Sequence, residues 1–169
     1  MDFLSFFPTI DVFILFLFAA MLVLNFIFIK RENLFLSVLS VYAAFVLVIA
    51  LPVFSETVQE WLLQHGYMRM LAFALAFIGF ELLLHASNVE WFSARVAPTQ
   101  FSVNVALRIV IVGLAFASLL FIAPQELREK FGVLVEALFA NPFAMLLWFL
   151  LPLLFSVSYR WKTRRGWIE

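Results

Sequence analysis

The sequence contains no cysteine, and only 5 of its 169 residues are glycine. The absence of cysteine excludes disulfides, thiolate metal ligands and a cysteine nucleophile. Charged residues make up only 13% of the chain, and the formal net charge of zero gives no basic surplus to attract nucleic acid. The sequence also lacks the His-Glu-x-x-His pair, glycine-rich phosphate loop and Gly-x-Ser-x-Gly motif of common enzymes. We therefore expect no catalytic residues, no cofactor, no metal site and no nucleic-acid partner.

What the chain does contain is apolar bulk. Hydrophobic residues account for 66% of the sequence, 23 of them phenylalanine, and the mean hydropathy is +1.08. A soluble domain has roughly half apolar residues, and a chain of this length has too little interior to hide the surplus. The excess must face lipid. Composition thus predicts a single integral membrane domain over residues 1–169, with the lipid bilayer as its first partner.

Five apolar segments are long enough to cross a bilayer, which requires about 20 residues as helix. They are Ile10–Ile29, Leu34–Phe54, Tyr67–Ser87, Ser102–Ala123 and Pro142–Tyr159. Because they lack the alternating pattern of barrel strands, we expect an all-α, polytopic helical bundle. Pro152 should kink the short fifth segment, for which an interfacial or re-entrant hairpin remains an alternative.

Two connecting segments have helical signals of their own. Ser55, followed by Glu56 and Gln59, is typical of a short capped helix at the membrane interface. Residues 124–140 carry apolar side chains on one helical face and acids on the other, which predicts an amphipathic helix. That helix would lie along the membrane surface or cover the bundle, and docking of a partner is the alternative.

The distribution of lysine and arginine predicts the orientation. With five spans, seven Lys or Arg residues fall on one side of the membrane and three on the other. The positive-inside rule then places the N-terminus outside and the tail 160–169 in the cytoplasm. The tail's basic cluster is an ordinary topology signal, or alternatively a contact for anionic lipid. Its members are Arg160, Lys162, Arg164 and Arg165.

Two opposite charges interrupt the third and fourth segments. Glu81 lies six residues before the end of its segment and Arg108 six residues after the start of the next, or ~9 Å from the same membrane surface. A lone charge in a transmembrane helix costs on the order of 3 kcal/mol by insertion scales, so pairing would be favourable. We therefore predict a Glu81–Arg108 ion pair.

Other polar side chains fall at a similar depth and extend the pair into an intramembrane polar layer. Its members are Glu81, His85, Arg108, Asn104, Asn25, Ser37 and Ser40, with Asn88 continuing the stripe of His85. Such a layer commonly fixes the register of transmembrane helices. The alternative is a proton or solute path in which Glu81 or His85 titrates. Transporters usually show glycine- or proline-broken helices and internal repeats, and few of these signals are present.

The first two segments and the fourth resemble the colicin V production protein family over residues 10–123. The family tends to open its first helix with an aspartate and to follow it with a basic turn and a glutamate, which here are Asp11, Arg31 and Glu32. Its fourth helix opens with an Ala-Leu-Arg step, matched by residues 106–108. The family's glycine after that arginine is replaced by Ile109. The resemblance implies a small bacterial inner-membrane protein tied to toxin export and envelope maintenance.

These observations favour a non-enzymatic accessory or scaffold protein of the inner membrane, linked to export or envelope maintenance. One alternative is a small proton-coupled transporter or channel subunit that uses Glu81 and His85. Another is a structural subunit of a larger membrane complex, in contact with a different membrane protein or with further copies of itself. The sequence leaves the partner and the oligomeric state open.

Overall fold

The computed structural model describes residues 10–54, 57–58, 60–61, 65–87 and 100–165, without the side chains of 54 and 156–165. These residues form helices and turns, with no strand among them, as expected. The helices are α1 (Ile10–Phe28), α2 (Leu34–Phe54), α3 (Gly66–His85), α4 (Phe101–Phe121), α5 (Gln125–Arg128), α6 (Val133–Val135) and α7 (Pro142–Arg165). The first four are long and apolar enough to cross a membrane, and their bounds differ from the predicted ones by at most two residues.

Successive long helices run in opposite directions. Asn33 at the start of α2 contacts His85 at the end of α3, and Arg108 near the start of α4 contacts Ile29 just after α1. The turn between α1 and α2, the end of α3 and the start of α4 therefore lie together, at what we call the turn end. The opposite end, where α1 begins, is called the Asp11 end.

The helix α4 lies at the centre and packs against α1, α2 and α7, whereas α3 packs mainly against α2. About half of the apolar window of α2 (50%) and of α4 (56%) is buried, against 17% for α1 and 6% for α3. Apolar clusters fill the two sides of α4, one built around Phe116 and Phe139 and the other around Phe45 and Leu114. The bundle thus has two inner helices and two outer ones.

The predicted amphipathic helix over 124–140 is wrong as a single helix. α5 ends at Arg128, the chain becomes extended at Gly132, and α6 and a π-helical turn (Glu136–Ala140) follow. A side chain at Gly132 would place its Cβ 2.5 Å from Oδ2 of Asp11, so glycine permits the close approach of that carboxylate. The apolar periodicity continues through the break, which is why the pattern alone predicted one helix.

The last apolar segment is bent by 43° between Val133–Ala140 and Pro142–Phe155. The side chain of Asn141 accepts a hydrogen bond from the N–H of Phe143 at 2.9 Å and Pro142 takes the first helical position, which together start α7. The helix then continues through Pro152 to Arg165. The indole N–H of Trp148 donates to Leu138 O at 2.7 Å and so ties α7 back to the π-helical turn.

The contacts of this segment change steadily from one end of the bundle to the other. Its first residues meet Asp11, Phe139 packs on Phe116, Trp148 covers Gly113, and Phe149 packs against Tyr42, which donates a hydrogen bond to the carbonyl of Phe149. The segment therefore runs alongside α4 from the Asp11 end toward the turn end.

Candidate functional site: buried charges in the helix bundle

Arg108 is 4% exposed and is bound by α1 rather than by an acid. Its Nη1 donates to the main-chain carbonyl and, at 3.0 Å, to the side-chain Oδ1 of Asn25, and its Nη2 donates to Ile29 O at 2.7 Å. Its Nε donates to Oδ1 of Asn104 at 3.0 Å, and the guanidinium lies 4.8 Å from the centre of the Phe26 ring. Each guanidinium nitrogen thus has an oxygen partner.

The carbonyl groups that receive Arg108 belong to the last turn of α1 and the residue after it. The final carbonyls of a helix have no partner within the helix and carry its partial negative charge. The carbonyl of Asn25 already accepts from Ile29 N at 3.1 Å, whereas Arg108 supplies a donor for Ile29 O and a positive charge at the same point. The arginine therefore closes the end of α1 and fixes α1 against α4.

Asp11 also bonds the end of a helical segment, but with a negative charge and at the opposite end of the bundle. It is 6% exposed, and its Oδ1 accepts a hydrogen bond from Gly132 N at 2.7 Å. Its Oδ2 accepts from Leu134 N at 3.1 Å and Val135 N at 3.5 Å. These are the free N–H groups at the start of a helical segment, where a carboxylate is favoured.

This role of Asp11 was not predicted from the sequence. Helix caps are recognised in a sequence by their closeness to the helix they cap, but Asp11 and Gly132 are 121 positions apart. The available signal was an acid in the first turn of an apolar helix, together with a glycine followed by an apolar run.

Glu81 belongs to a different network, between α2 and α3. Its Oε1 accepts a hydrogen bond from Ser37 Oγ at 2.8 Å, whereas its Oε2 is buried and has no hydrogen-bond partner in the described ranges. Among the described residues no cation forms an ion pair with this carboxyl group. Glu81 is thus only half satisfied in hydrogen bonds.

His85 lies one turn from Glu81, and its ring is held in one tautomer. Nδ1 lies 2.9 Å from the main-chain oxygen of Glu81, which only accepts, so Nδ1 carries the hydrogen. Nε2 lies 2.6 Å from Nδ2 of Asn33, which only donates. These partners fit a neutral imidazole, with Nε2 as the acceptor.

The predicted Glu81–Arg108 ion pair is wrong. Both residues do lie toward the turn end, but Arg108 faces α1 and Glu81 faces α2. Equal depth constrains position along the helix axes but not rotation about them. The predicted polar layer is thus divided between two networks, one containing Asn25, Asn104 and Arg108 and the other Ser37, Glu81 and His85, while Ser40 donates to Leu36 O at 3.0 Å.

Several predicted features lie outside the described residues. They are most of the short helix expected after Ser55, the side chain of Asn88, and the basic side chains of Arg160, Lys162, Arg164 and Arg165. Within the part of the chain that the structure describes, no three His, Asp or Glu side chains are grouped as a metal site.

Comparison of the chain with protein-family models, with curated proteins and with solved structures finds no match.

Proposed function

We propose that this chain is an integral membrane protein of the bacterial inner membrane that acts as a non-enzymatic scaffold or accessory subunit. The observation that carries the proposal is the exposure of α3. Only 6% of its apolar window is buried, and large side chains such as Leu75 and Leu82 are 62% and 67% exposed. An apolar face of this kind fits lipid and the helices of other membrane proteins. The resemblance to the colicin V production family supports a place in export or envelope maintenance.

The proposed topology has five spans, with the N-terminus outside and the C-terminus in the cytoplasm. The contacts of the last segment support a full crossing, because they progress along α4 from Asp11 toward Tyr42. A re-entrant hairpin would instead return the chain to the side on which it entered.

The absence of native cysteine makes this topology directly testable. Single cysteines replace Lys30, Lys130 and Thr163, and intact cells are treated with a membrane-impermeant maleimide. Five spans predict labelling at position 130 from outside, and labelling at positions 30 and 163 only after the membrane is opened. Labelling of 130 and 163 from the same side would contradict the fifth crossing.

The scaffold role is tested by site-specific photocrosslinking in the native membrane. A photoreactive amino acid at Leu75 or Leu82 should give one defined adduct with another membrane protein or with a second copy of the chain. The matched control is Phe73, which lies on the same helix but is 4% exposed and should react only within the chain. Adducts with lipid alone at both exposed positions would contradict a scaffold that acts through α3.

A further inference from the structure

Glu81 is the buried ionisable residue whose hydrogen-bond partners leave one carboxyl oxygen able to bind a ligand. Both carboxylate oxygens of Asp11 and all three guanidinium nitrogens of Arg108 have hydrogen-bond partners, but Oε2 of Glu81 is buried without a partner among the described residues. An ionised carboxylate in an apolar helix bundle needs a cation or several donors. Glu81 has one donor, the hydroxyl of Ser37.

Within the described part of the chain, the neighbouring charged and titratable groups do not supply the missing cation. Both ring nitrogens of His85 on the same helix are directed to other groups, Nδ1 to the main-chain oxygen of Glu81 and Nε2 to Asn33. On α2, the helix against which α3 packs, the hydroxyl of Tyr42 is directed to Phe149 O. Arg31 and Glu32, in the turn before α2, are exposed, and Arg108 is held by α1.

We propose that Glu81 is a proton-binding site within the seam between α2 and α3, with the proton on Oε2. In this arrangement Oε1 is the carbonyl oxygen that accepts from Ser37. Neutralisation removes the unpaired charge from the bundle, at the cost of leaving one O–H without a close acceptor.

The geometry favours a proton over a metal cation. A metal ion needs several oxygen or nitrogen ligands directed to one point. Among the described groups around Glu81, Oε2 is the unpartnered oxygen, while the hydroxyl of Ser37 lies 2.8 Å from Oε1 and 3.3 Å from Asn33 O and donates to the nearer oxygen. A single free oxygen is sufficient for a proton. Glu81 lies on α3, the least buried of the four helices that are long and apolar enough to cross a membrane. Only α3 itself therefore separates the α2–α3 seam from the surroundings of the bundle.

Infrared spectroscopy of the full-length protein in lipid vesicles tests the proposal. A protonated carboxyl group has a C=O stretching band well separated from the two bands of a carboxylate. At neutral pH the wild-type protein should show this acid band, and Glu81→Gln should lose it completely. The matched control is Glu126→Gln, at an exposed residue of α5, which should leave the band unchanged.

A second variant keeps the test decisive if Glu81→Gln fails to fold. Ser37→Ala removes the donor to Oε1, so the acid band should remain and move to higher frequency. Labelling glutamate side chains with carbon-13 should shift the same band, which excludes Asp11 as its source. A wild-type protein without an acid band at neutral pH, or a band that responds to neither variant, would overturn the proposal. The outcome does not depend on any partner and is separate from the crosslinking result.

Discussion

Arg108 and Glu81 both lie toward the turn end of the same bundle, but their surroundings differ. Arg108 is bound along the α1–α4 seam by the carbonyl groups at the end of a helix, with an oxygen for each nitrogen. Glu81 lies in the α2–α3 seam, four residues before the end of α3, and its described hydrogen-bond partner is a single hydroxyl, that of Ser37 in the first turn of α2. A helix end provides unpaired polar groups and a partial charge together. Arg108 is directed at such an end and its charge is matched there, whereas the carboxyl group of Glu81 meets one side-chain hydroxyl and keeps one oxygen without a described partner.

Removal of Arg108 should have the largest effect on this comparison. Arg108→Leu leaves the carbonyl of Ile29 and the side-chain oxygens of Asn25 and Asn104 without this donor, and we expect a loss of about 3–5 kcal/mol in the free energy of unfolding. Equilibrium unfolding in detergent micelles measures it. The control is Arg128→Leu, at an exposed arginine of α5, with an expected change within about 0.5 kcal/mol. Equal losses in the two variants would show that burial of Arg108 contributes nothing specific.

The packing of α7 on α4 gives the next effect. A Cβ at Gly113 would overlap the ring of Trp148, so Gly113→Ala should destabilise the protein by about 1–3 kcal/mol. Gly79→Ala is the matched control on α3, because a Cβ there meets nothing within 4 Å. That change should be neutral or stabilising by up to about 1 kcal/mol, as alanine favours helix. Thermal unfolding of both variants measures the difference, and destabilisation of equal size would contradict the close contact of α4 and Trp148.

Substitution of Asp11 tests whether its interaction with the start of α6 stabilises the protein as much as a helix cap does. Asp11→Ala removes the acceptor for the N–H groups of Gly132 and Leu134, with an expected loss of about 1–2 kcal/mol. Asp11→Asn keeps one acceptor oxygen and should lose less. Hydrogen exchange at the amides of residues 132–135 should increase in both variants. Unchanged exchange there would show that the carboxylate does not hold this segment.

The smallest expected effect is the coupling between the two seams. Since Glu81 and Arg108 share no partner, the losses of Glu81→Leu and Arg108→Leu should add to within about 0.5 kcal/mol in the double variant. Unfolding measurements on the four proteins of this cycle provide the test. A double variant much more stable than the sum of the two single losses predicts would indicate a direct ion pair between Glu81 and Arg108.

Composition and hydropathy were sufficient to place α1 to α4, because each is a long apolar run bounded by polar residues. The same arithmetic gave the depth of Glu81 and Arg108 correctly enough to bring both toward the turn end. The same reasoning did not identify the partners of Glu81 and Arg108. The long helices of this chain are apolar on all sides, so no polar face shows how each helix is rotated about its axis. The break at Gly132 was hidden for a related reason: its cause is a carboxylate supplied from the first helix.

The contact between Asp11 and Gly132 joins residues that are synthesised at different times. At roughly 5–20 residues per second, on the order of 10 s of translation separate the two partners. Throughout that interval the nascent chain exposes an acid that has no companion, and a transcript cut short before the last third would leave it so permanently. The start of α1 therefore reaches its final surroundings only after residues 132–135 have been synthesised, so this helix is inserted long before its packing is settled.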